Sequence, residues 1–89
     1  MGKERLSHFE RMKMMCDYFK DQMAIDNLFI PVYNAAKAIN EIIETENNWH
    51  IRARSIEAVL LEVEKSEPVN DMRWYDYRLH VNLYLHKFH

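Results

Sequence analysis

Apolar residues recur along most of this chain at intervals of three and four, the spacing that aligns side chains on one face of an α-helix. Phe9, Met12, Cys16, Phe19 and Met23 form the first such stripe, with Met15 beside it. Ser7 and Glu10 precede it in the S-x-x-E spacing of a capping box, in which hydroxyl and carboxylate satisfy two backbone N–H groups at a helix start. The first helix is predicted to begin there or a few residues earlier. Asp26 and Asn27 favour a turn, so it should end around residues 24–26. Pro31 cannot sit inside a helix but suits the first turn of the next one. Leu28, Phe29 and Ile30 fall between, in a predicted loop that is either tucked onto the core or, if exposed, a contact site.

Val32, Ala36, Ile39 and Ile43 make the second stripe, widened by Ile42, and Ala35, Ala36 and Ala38 keep that helix low enough for a close neighbour. Residues 45–48 are polar and include Asn47 and Asn48, which suit a break and a cap. Trp49, Ala53, Ile56, Leu60 and Val63 follow as a third stripe with Val59 beside it, stopped by Pro68. Asn70 or Asp71 is then placed to cap a fourth helix.

That last segment, residues 72–88, organises the rest. As a helix it carries Trp74, Tyr77, Val81, Leu85 and Phe88 in one stripe and Met72, Tyr75, Leu79 and Leu83 in another, leaving Arg73, Asp76, His80 and Lys87 as the polar edge. Such a helix needs cover on two sides, and a chain of 89 residues has little material for both. One face is therefore assigned to the chain's own core and the other to a partner. The same residues also alternate apolar and polar from Tyr75 to His86, the period of a half-buried strand. A strand needs a neighbour, and the only other candidate, residues 28–33, is short and contains Pro31. The expected fold is a small all-α bundle of three to four helices in one domain, its aromatic C-terminal helix central. The alternative is helices plus a C-terminal strand that pairs in a dimer.

Composition agrees: 48% apolar residues with one glycine and two prolines suits packed helices better than a turn-rich β fold. No run of 18 apolar residues exists, and the charged start MGKERLSHFERMK has no apolar stretch, so a cytoplasmic protein without membrane partners is expected. Gly2 is not followed by a myristoylation pattern, since Leu6 stands where Ser or Thr is needed. Net charge is −2, and the acids gather in the middle: residues 21–67 hold four Lys or Arg against nine acids. A solvated helix surface accounts for that, although an acidic face can also imitate nucleic acid. Cys16, the lone cysteine, reads as a buried thiol.

Candidate chemistry is sparse. His8, Met12 and Cys16 share a helix face and resemble a soft-metal set, and Asp76 stands four residues before His80, but no further ligand cluster accompanies either. His86 and His89 project away from that pair. Ser7 and His8 are sequence neighbours that point apart, and with Gly2 as the only glycine no phosphate loop can be built. No enzyme, cofactor or metal is expected. Asn48, His50, Arg52 and Arg54 cluster at the start of the third helix, where a helix-turn-helix protein reads DNA. Glu57, Glu62 and Glu64 on the same helix oppose that reading.

The surplus of apolar residues outside the main stripes is the stronger signal. Met14, Leu28, Phe29, Ile30, Ile42, Leu61, Tyr75, Leu79 and Leu83 are more than four stripes can hide. It favours a self-associating interaction protein, a homodimer or larger, with Met72, Tyr75, Leu79, Leu83, Leu28 and Phe29 as the interface. Such a protein is expected to act as a regulator or inhibitor of a larger protein, of the kind encoded by phages and other compact genomes. A nucleic-acid-binding regulator using Asn48, His50, Arg52 and Arg54 is the alternative.

Overall fold

The computed structural model describes residues 7–66 and 71–87, with the backbone alone at Leu28, Ser66 and Lys87. Among these residues four helices follow one another: α1 (His8–Ile25), α2 (Ile30–Thr45), α3 (Trp49–Ser66) and α4 (Met72–Lys87), with a 3₁₀ turn, Asn27–Phe29, between the first two. No strand occurs among the described residues, and residues 72–87 are helical throughout, so the strand-paired alternative is set aside. The positions assigned to Phe88, Pro68, Asn70 and His89 lie outside the described residues. No described helix is long and apolar enough to cross a membrane.

Three of the four described helices start where a side chain takes over unpaired N–H groups. Ser7 Oγ accepts from Glu10 N at 3.1 Å, and Glu10 Oε1 accepts from Ser7 N at 2.8 Å, completing the capping box. Asn48 Oδ1 accepts from His50 N and Ile51 N at the start of α3. Asp71 Oδ1 accepts from Arg73 N at the start of α4. In α2 the cap is replaced by Pro31 in the first turn, which has no N–H to satisfy. Ile30, expected in the loop, becomes the first residue of that helix.

α1 packs between α2 and α4, and α2 between α1 and α3. The core joins all four: Met12, Cys16 and Phe19 from α1, Val32, Ala36, Ile39 and Ile43 from α2, Ile56 and Leu60 from α3, and Trp74, Tyr77, Val81 and Leu85 from α4. Trp74 and Tyr77 are the largest fully buried side chains, so the aromatic helix supplies the centre of the core. Tyr84 is also buried, beside the stripe predicted from spacing. It lies three residues beyond Val81 and seven beyond Tyr77, so helical spacing alone would have included it.

Two arginines close the ends of the bundle. At one end Arg52 donates through Nε and Nη2 to the Glu46 carbonyl, at 2.9 and 2.6 Å, and through Nη1 to Tyr84 Oη at 3.1 Å, while its guanidinium lies 4.8 Å from the Trp49 ring. This fixes the turn between α2 and α3 and ties it to α4. At the other end Arg73 stacks 4.4 Å from the Phe29 ring, donates to Tyr18 Oη at 2.9 Å and grips both carboxylate oxygens of Asp71. α3 and α4 also meet in the Arg78–Glu64 ion pair at 2.9 Å and in the Trp49 and Tyr84 rings, whose centres are 5.3 Å apart.

Candidate functional site

The outer face of α4 carries a row of large apolar residues exposed to solvent. Trp74, Tyr77, Val81, Tyr84 and Leu85 all turn inward. At 100° per residue, Met72, Tyr75, Leu79 and Leu83 therefore point in the opposite direction. They are 83%, 52%, 52% and 40% exposed. Their spacing of three, four and four residues makes a continuous apolar row along the helix, rimmed by exposed Asp76, Asn82 and His86. An apolar centre with a polar rim is the composition of a protein–protein contact, whereas apolar residues scattered singly would be ordinary surface.

The rest of the expected interface divides. Phe29 is a correction: it is only 6% exposed and belongs to the core. Phe19 packs on it at 6.1 Å between ring centres and Arg73 covers it, so Phe29 is tucked in rather than presented. The side chain of Leu28 lies outside the described residues. Ile42 is partly buried against the core. Met14, Ile30 and Leu61 are exposed, as are Tyr18, Ile25 and Ile51.

The residues of the nucleic-acid alternative sit together at the start of α3, but two of the four are occupied by the fold. Asn48 is the helix cap, and Arg52 is held by Glu46, Tyr84 and Trp49. His50 and Arg54 are exposed. Sequence could not reveal the engagement of Arg52, because Tyr84 lies 32 residues away.

The soft-ligand set is also taken apart. Met12 and Cys16 are buried in the core. Burial pushes the Cys16 thiol above its usual value, with Asp17 adding to the effect, which keeps it protonated and unreactive. His8 instead meets His80 across the α1–α4 seam, with Nδ1 atoms 3.2 Å apart. Among the described residues no group of three or more His, Cys, Asp or Glu is arranged around a common metal position. No protein-family model matches the chain, nor does any curated protein or solved structure.

Proposed function

We propose that the protein is a small interaction module that pairs with a second copy of itself through the outer face of α4, and that it acts as a regulator or inhibitor by docking on a larger protein. The observation carrying this reading is the exposed row Met72, Tyr75, Leu79 and Leu83, directly opposite the core face of the same helix. The row suits a two-fold contact. Leu79 has Tyr75 four residues before it and Leu83 four residues after it. Two copies of α4 laid antiparallel about Leu79 place Leu79 on its own copy and each Tyr75 opposite a Leu83, an isologous arrangement that covers these three residues of both copies at once and leaves Met72 beside the partner's rim.

Light scattering on the full chain at micromolar concentration is expected to give the mass of a dimer. Leu79→Asp should shift it toward monomer, because the contact would have to bury an unpaired carboxylate. Leu61→Asp, on the exposed side of α3, should leave the dimer intact. A wild-type protein that remains monomeric at high concentration would overturn the reading.

A further inference from the structure

His8 and His80 are 72 residues apart in sequence, and nothing in helical spacing links the two to each other. The fold places their Nδ1 atoms 3.2 Å apart, with ring centres 5.4 Å apart and planes inclined by 39°. From this juxtaposition we infer a transition-metal clamp at the α1–α4 seam, in which both Nδ1 atoms bind one divalent ion of the zinc class.

The distance is the main argument. Zinc–imidazole bonds of about 2.0–2.1 Å at a tetrahedral angle separate two ligating nitrogens by about 3.3–3.4 Å. The pair is therefore within a few tenths of an ångström of ligand spacing before any ion arrives. Without metal the same distance serves a hydrogen bond in which one ring donates and the other accepts. Binding moves the donor ring's proton from Nδ1 to Nε2 by exchange with water, so a neutral pair takes up the ion with no net proton release.

The surroundings fit that state. His80 Nε2 lies 3.9 Å from Asp76 Oδ1, on an exposed side chain with room to close the gap. A carboxylate on the outer nitrogen of a ligating histidine fixes the ring and raises its basicity. The pair is part-buried, with the His80 side chain 16% exposed, so an ion can enter from solvent and water can fill the remaining positions. Two protein ligands make an open site of moderate affinity. Its consequence is structural: a metal bridge ties the first helix to the last in a small chain whose single cysteine cannot form an internal disulfide.

The test is a thermal melt of the chelator-treated full chain with and without zinc chloride, joined to an NMR titration of the histidine rings. Zinc should raise Tm by several degrees, reversibly with chelator, because an ion that binds only the folded state stabilises it. His8→Gln and His80→Gln should each abolish the rise, while the double variant His50→Gln with His86→Gln should keep it. In wild type, zinc should move the ring signals of His8 and His80 and leave those of His50 and His86 in place, a readout that survives if a variant folds poorly. An unchanged wild-type Tm, a rise that persists in both single variants, or signals that move only at the other histidines would overturn the clamp.

Discussion

Tyr77, in the middle of α4, reaches α2 and sets its hydroxyl against the backbone carbonyl of Ala36, 3.4 Å away. Ala36 has no side chain beyond Cβ, and that is what leaves room for the phenol. Burial, with a smaller contribution from Cys16, pushes the Tyr77 phenol far above its usual value, so it stays neutral and donates. The pairing of a large residue on one helix with a small one on another explains why Ala36 of α2 faces inward while the aromatic that meets it comes from α4.

Filling that space should therefore be costly. Ala36→Leu is expected to destabilise by about 1–3 kcal/mol through overpacking. Trp74→Ala, at a side chain only 1% exposed, should cost about 3–5 kcal/mol. Either is a large share of the roughly 5–15 kcal/mol that holds a domain together. Urea unfolding followed by circular dichroism measures both. A near-zero effect of Trp74→Ala would mean that the tryptophan does not face the core.

Most of the fold was legible because its signals are local. Ser7 with Glu10, Pro31, Asn48 and Asp71 mark helix starts through contacts within a turn, and the stripes follow from spacing alone. The terminal segment was ambiguous because its residues satisfy two periods at once, and helix prevailed because Trp74, Tyr77, Val81 and Leu85 then share one buried face with Tyr84. What sequence could not show lies across the bundle: Arg52 on Tyr84, Arg73 over Phe29, and His8 on His80. In each case the two residues sit on different elements, and their meeting depends on how the helices pack. Arg73 and His80 read as a polar edge for that reason, and Phe29 read as a contact site because its covering guanidinium comes from 44 residues further along the chain.

The Asp71–Arg73 grip should show in acid. The side-chain hydrogen bonds from Arg73 hold the Asp71 carboxyl below its usual value. A carboxyl depressed in the folded state binds its proton less readily there than in the unfolded chain. Its stabilisation is thus complete above the unfolded value, about 3.9, and lost as pH falls below it. Melting temperature should drop more steeply below about pH 4 in wild type than in Asp71→Asn, which has no carboxyl to titrate. Parallel pH profiles for the two proteins would show that this contact does not contribute.

The two arginines of α3 separate a folding role from a nucleic-acid role. Arg52 makes charge-assisted bonds to the Glu46 carbonyl, bonds Tyr84 and stacks on Trp49, so Arg52→Ala should cost on the order of 2 kcal/mol of stability. Arg54 is exposed, and Arg54→Ala should stay within about 0.5 kcal/mol. Arg54→Ala is therefore the informative variant for binding, since its fold is expected to be intact. If the start of α3 contacted phosphates, removing Arg54 would weaken duplex binding and flatten its dependence on salt, because each contact releases counterions. The interaction-module reading expects no steeply salt-dependent complex of wild type with duplex DNA in the first place. A tight complex that weakens sharply with salt, and whose salt slope falls in Arg54→Ala, would move the functional surface from the outer face of α4 to the start of α3.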